Sequence, residues 1–267
     1  GVIFAFSRAM QIRTAQAYGT GEAVFLKSAM ASGLAISLVI GIAGVLLINL
    51  GAQSLLSQLA PTETVANQAR IYLAIFSVVI LGEAVGQCLA SFFNGCGQTK
   101  LPLYGYLLSV PVNVLASVCL IHGWGGLPAL GVAGAALGSA IAILLQTGLW
   151  AWLAHRNFGH LRAEPGWRNG RFPQTLQRHL MFALPIAATF VSATMATHVC
   201  ALIYANMALN AFAALTLIAP WNMLAGQISM QWTQATGILV AQLLGQRRDA
   251  KTLDAFLSRA WAGALVS

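Results

Sequence analysis

The chain has 267 residues, 58% of them hydrophobic and 7% charged, with a mean hydropathy of +0.75. Soluble globular domains carry roughly 25% charged residues, so this chain lacks the polar surface that a water-facing fold requires. Its net charge of +8 comes from basic residues gathered in certain loops, a distribution that argues against nucleic-acid binding and fits membrane topology.

Apolar stretches of about 20 residues or more recur along the chain, each able to cross roughly 30 Å of hydrocarbon as a helix. A partial span runs to about Gly19, and helices are predicted near 29–51, 66–94, 101–122, 131–155, 177–206 and 211–244. A last helix begins near Thr252. Alternating strand patterns are absent, which argues against a β-barrel, and the fold class is an all-α polytopic membrane protein. The sequence starts at Gly1 inside an apolar stretch and stops at Ser267 inside another, so the expectation is a chain truncated at both ends.

The loops alternate in charge. Lys27, then Lys100, then Arg156, Arg162, Arg168, Arg171 and Arg178, then Arg247, Arg248 and Lys251 mark every second connection. The intervening loops, near 52–65, 123–130 and 207–210, contain no Lys or Arg. The positive-inside rule places the basic set in the cytoplasm, and the inner (plasma) membrane is the expected location. The segment 157–176, with Glu164-Pro165-Gly166 and Phe172-Pro173, is the main polar linker. It separates a first bundle, 1–156, from the start of a second, 177–267.

Ala15-Gln16-Ala17-Tyr18-Gly19 returns as Ala241-Gln242-Leu243-Leu244-Gly245, each time where an apolar stretch meets charged residues. Six hydrophobic segments separate the copies, so both lie on one side of the membrane and belong to repeats of like orientation. The cysteines Cys88, Cys96, Cys119 and Cys200 show no metal or redox spacing and read as small core residues. The small residues of Gly131–Gly138 read as a packing stripe between helices.

Phe93-Asn94-Gly95-Cys96-Gly97-Gln98-Thr99-Lys100-Leu101-Pro102 resembles the Gly-x-Gly-x-Thr-x-x-Pro connection of the multidrug and toxic compound extrusion (MATE) family. Gly126-Leu127-Pro128-Ala129-Leu130-Gly131-Val132-Ala133-Gly134-Ala135-Ala136 is similar to the signature joining that family's fifth and sixth helices. The Ala-Gln-x-x-Gly copies match its second and eighth helices, and Leu184-Pro185 the opening of its seventh. The resemblance implies two parallel-repeat six-helix bundles, here cut to about seven to eight transmembrane helices with the first helix missing. It implies a secondary transporter that exports organic, mainly cationic, compounds in exchange for H⁺ or Na⁺ by alternating access. A bilayer and a small organic substrate are the expected partners, the protein acts as a monomer, and no cofactor beyond the coupling ion is called for.

Among the acidic residues only Glu83 lies deep within a span, where a carboxylate costs about 2.5–3.5 kcal/mol on insertion scales. It is either a coupling group or a buried Glu bonded to a neighbouring helix. Gln87, four residues on, shares its face and is a candidate hydrogen-bond partner. The resemblance adds Asn113 to the cation-coupling candidates, with Ser117 standing where the family carries an acid. A Glu common in the family's seventh helix is replaced here by Ala193.

Tyr72, Phe76, His198 and Trp221 are candidates for the substrate cavity, with helix packing or interfacial anchoring as the alternative for each. Arg13 is placed to snorkel, whereas Arg8 lines the cavity or is unplaced; in the cavity it would argue against an exclusively cationic substrate. No nucleophile–base pair or metal cluster emerges, so an enzyme is not expected. The rival reading is a lipid-linked oligosaccharide or peptidoglycan-precursor flippase of the same superfamily, which would need several basic residues inside the first bundle.

Overall fold

The predicted spans form helices that outrun them at most ends, because a helix keeps its backbone groups bonded whether lipid or water surrounds it. The computed structural model describes residues 2–59, 62–126, 128–160, 171–205 and 209–266. Among these the elements are α1 (Val2–Gly19), α2 (Ala23–Leu59), α3 (Glu63–Gly95), α4 (Lys100–His122), a 3₁₀ turn (Trp124–Gly126), α5 (Val132–Phe158), α6 (Arg171–Ala205), α7 (Leu209–Gly245) and α8 (Ala250–Val266). No strand occurs among the described residues. Helices α2 to α6 each contain a stretch long and apolar enough to cross a membrane. The linker arginines Arg162 and Arg168 lie outside the described residues, as does Leu127.

Local chemistry sets the boundaries. Thr62 caps α3, its hydroxyl accepting from the Val65 N–H at 3.3 Å. After α3 the chain reverses through Gly97 at φ +74°, with the Gln98 N–H bonded to the Phe93 carbonyl at 2.9 Å. The Gly-x-Gly of this connection is therefore a helix C-terminal turn feeding directly into α4. Helix α6 starts six residues before the predicted 177 and carries Pro185 within it.

Helices α1 to α5 form one packed group, in which α5 lies against α3 and α4, and α2 against α1 and α3. Lipid tails are as apolar as leucine, so cohesion here depends on close packing more than on water exclusion. Gly134 and Gly138 of α5 supply it by seating directly against the α4 backbone at Leu120 and Ser117, as the small-residue stripe predicts. Near the basic end, Met10, Phe92, Phe93, Trp150 and Phe158 form a buried cluster, with Phe92 and Phe158 edge to face at 4.9 Å.

Helices α6 and α7 join this group mainly through α1, which packs against α2, α3, α6 and α7 at once, and α6 also packs against α2. Helix α8 rests on α7, where the Trp232 indole donates to the Ala260 carbonyl at 3.3 Å. Contacts between Gly95 and Thr14, between Phe92 and Phe158, and between Ser32 and His179 bring the basic connections to one end of the bundle.

Candidate functional site

The two Ala-Gln-x-x-Gly copies touch. A Cβ on Gly19 would overlap the Gln242 carbonyl, and a Cβ on Gly245 would overlap the Gln16 carbonyl. The fifth residue of each motif thus meets the second of the other, the reciprocal pattern of an approximate twofold axis. Only glycine permits helix backbones to approach this closely. The Gln242 side chain extends the contact by donating to the Gly95 carbonyl at 2.8 Å.

A second link joins the halves. His179 of α6, 1% exposed, shares a 2.7 Å hydrogen bond between its Nδ1 and the Ser32 hydroxyl of α2. Beyond this seal a cleft of about 640 Å³ is lined by Arg13, Arg178 and Arg247 with no acidic residue. Like charges from both halves therefore face one another and oppose the closure that the glycines permit.

Further along α1 the halves part around a cavity of about 540 Å³. Arg8, Gln11 and Ile12 of α1 form one wall, with Ile186 and Phe190 of α6 and Ser229, Thr233 and Gln234 of α7 opposite. The surface is mostly apolar with a few convergent polar groups, the usual make-up of a small-molecule site. Arg8 lies 4.2 Å from the Phe4 ring, and Phe4 meets Phe190 edge to face at 5.8 Å.

A separate cavity of about 350 Å³ lies within the first bundle, between α3, α4 and α5. Phe76, Glu83, Ser109, Asn113, Ser139 and Gln146 are among the residues lining it. Gln87 Nε2 donates to Glu83 Oε1 at 2.7 Å, as the four-residue spacing predicts. Asn113 Nδ2 donates to the Ser139 hydroxyl at 3.3 Å, and the Ser117 hydroxyl donates to Asn113 Oδ1 at 3.5 Å. One carboxylate, two amides and two hydroxyls thus line a single cavity, the residue types that can hold a proton or a small cation.

The structure thus brings together Glu83, Gln87, Asn113 and Ser117, with Phe76 lining the same cavity and Tyr72 stacked on Phe76 at 5.5 Å. His198 and Trp221 are exposed, Trp221 at 72%, and neither lines these cavities. Residue type marked them, and type does not say which way a helix faces. Gln11, Phe190, Ser229, Thr233 and Gln234 were not anticipated. The signal for Ser229, Thr233 and Gln234 was polar residues interrupting α7 at helical spacing, and nothing comparable marked Gln11 or Phe190.

An all-α bundle whose like-oriented halves meet reciprocally beside a cavity defines a multi-pass membrane transporter fold. Residues 1–119 match the MatE family model. The "Probable multidrug resistance protein NorM" of Streptococcus pneumoniae is 28% identical over 205 residues, which cover 75% of this chain and 45% of that protein. The crystal structure of the Vibrio cholerae MATE transporter VcmN superposes with a TM-score of 0.80 at 19% identity, covering 97% of this chain and 57% of that one. The eukaryotic MATE transporter AtDTX14 gives a TM-score of 0.78 at 19% identity, covering 99% and 57%. Residues 1–119 and the overall fold are thus similar to those of the multidrug and toxic compound extrusion family, and the chain spans about half the length of these relatives.

Proposed function

We propose that the protein exports small organic compounds, drugs among them, across the plasma membrane by alternating access, in exchange for H⁺ or Na⁺. The observation that carries this reading is the reciprocal packing of Gly19 on Gln242 and Gly245 on Gln16 beside the cavity between the halves. A pseudo-twofold seal is the part that must open and close when two repeats rock about a shared site. With the basic connections cytoplasmic, the sealed form faces outward.

Glu83 is the coupling group in this proposal. Its carboxylate takes up the ion from the Asn113 cavity, and Gln87 orients it. Uptake can favour one orientation only if the affinity of this site differs between the two. The protein binds and releases its substrate unchanged and acts as a monomer. The flippase reading needs several basic residues around its substrate, and of the residues lining the cavity between the halves only Arg8 is basic.

Vesicles containing the protein test the proposal. Efflux of fluorescent dyes is followed under a pH gradient alone and under a Na⁺ gradient alone. The expected result is dye movement driven by at least one of them. Movement that ignores both overturns the exchange mechanism.

A further inference from the structure

Two side chains that line the cavity between the halves carry buried donors without acceptors. Arg8 Nη1 donates to Gln11 Oε1 at 3.2 Å, which uses the acceptor of the amide and one of the guanidinium's five N–H groups. Arg8 Nε and Gln11 Nε2 remain without any hydrogen-bond partner, although Gln11 is only 4% exposed. Both side chains line the same wall. A buried N–H group left unpaired costs about 1–3 kcal/mol, so two together mark a place built for something that accepts.

The charge of the cavity says what kind of acceptor. None of its lining residues is acidic. The near ionisable neighbour of Arg8 is Tyr106, a phenol that is neutral at physiological pH. Phe4 lies 4.2 Å from the guanidinium and meets the charge with a ring face, which supplies no acceptor. Arginine stays protonated in such surroundings, so the cavity is positively charged.

We infer that this cavity binds the negatively charged group, a carboxylate in the first instance, of an amphiphilic organic substrate, with Arg8 and Gln11 as its donors. The inference rests on the export reading and narrows its substrate class. Arg8 and Gln11 sit one helical turn apart on α1, and their two unpartnered N–H groups match in number the two oxygens of one carboxylate, which would have to reach in beside them. Phe190, Ile186 and Ile12 then cover the apolar body, and Ser229, Thr233 and Gln234 supply neutral polar contacts from α7. A purely cationic compound meets the guanidinium as a like charge with no carboxylate in the cavity lining to offset it. The cationic preference that the family resemblance implies is therefore not built into this cavity, whereas a zwitterion or an anion suits it.

The test compares carboxyfluorescein with the cationic ester tetramethylrhodamine ethyl ester. Equilibrium binding is measured to the purified protein in nanodiscs, and efflux in vesicles, for the wild type, Arg8→Gln, Arg8→Lys and Gln11→Leu. The expected result is tighter binding of carboxyfluorescein by the wild type. Arg8→Gln should lower its affinity relative to the ester by about tenfold or more, with Arg8→Lys intermediate because it retains charge without the fork.

If Arg8→Gln does not fold, Gln11→Leu carries the same test without touching the charge, and it should weaken carboxyfluorescein more than the ester. An unchanged ratio between the two probes in every folded variant overturns the inference, as does preferential binding of the ester by the wild type. Selective carboxyfluorescein binding without gradient-driven efflux of either probe keeps the site and removes the export reading. Driven efflux of the ester with no binding of carboxyfluorescein does the reverse.

Discussion

Gly19 of α1 lies against the backbone carbonyl of Gln242 of α7, so closely that no Cβ fits between them. The twofold-related contact sets Gly245 on Gln16. The seal at the basic end is thus a backbone-to-backbone contact, and its strength depends on the absence of side-chain atoms.

Gly19→Ala and Gly245→Ala should each push the halves apart at this end. Inserting a methyl group against a packed backbone costs about 1–3 kcal/mol. The contacts are neighbours on one axis, so the double variant should open the seal little more than the worse single one. Cross-linking yield between cysteines introduced at Ala17 and Leu244 measures this. Undiminished yield in all three variants would remove the glycines from the seal.

The two inter-half hydrogen bonds should act in the same direction by different amounts. Gln242→Ala removes one neutral bond to the Gly95 carbonyl, worth about 0.5–1.5 kcal/mol. His179→Ala removes the 2.7 Å bond and also leaves a cavity at a position only 1% exposed, so it should cost more. Thermal unfolding of the detergent-solubilised variants gives the order, and the larger drop is expected for His179.

Cys96 offers a reporter of opening. Burial pushes its thiol up to about 12, so the reactive thiolate is scarce at neutral pH. Maleimide labelling of Cys96 should therefore be slow in the sealed form. Exposure returns the thiol toward its ordinary value, which is lower, so labelling should accelerate in Gly19→Ala. Peptide mass spectrometry separates Cys96 from the exposed Cys200. Equal labelling rates in the wild type and the glycine variant would contradict the buried position.

Salt should shift the seal. Arg13, Arg178 and Arg247 face one cleft across the seam without an acidic partner in its lining. Raising ionic strength from about 0.01 M to 1 M shortens the screening length from about 30 Å to 3 Å and weakens their repulsion. The cross-linking yield at Ala17 and Leu244 should rise with salt, and Arg178→Gln should flatten that rise. A yield that falls with salt would mean that repulsion does not oppose closure.

Glu83→Gln keeps the size of the side chain and a carbonyl oxygen for Gln87 while removing the charge. It should lower the gradient-driven rate by about tenfold or more and leave helix content unchanged. Dye efflux under separate pH and Na⁺ gradients, with circular dichroism as the control, reads both. Coupling that survives intact under both gradients takes Glu83 out of the mechanism.

The sequence by itself determined the helices, the basic end, the duplication and the pairing of Glu83 with Gln87. Each follows from composition or from a spacing within one helix, where four residues fix a neighbour. Only the tertiary structure decided that the two repeat copies touch, that Gln242 reaches Gly95, and that His179 reaches Ser32. The last two pairs are each 147 residues apart in the chain, and no periodicity reports which faces of two distant helices will meet. The same holds for Arg8 and Gln11. Their chemistry was visible as residue types, but their two unpaired N–H groups arise from burial against α6 and α7, and burial is set by packing.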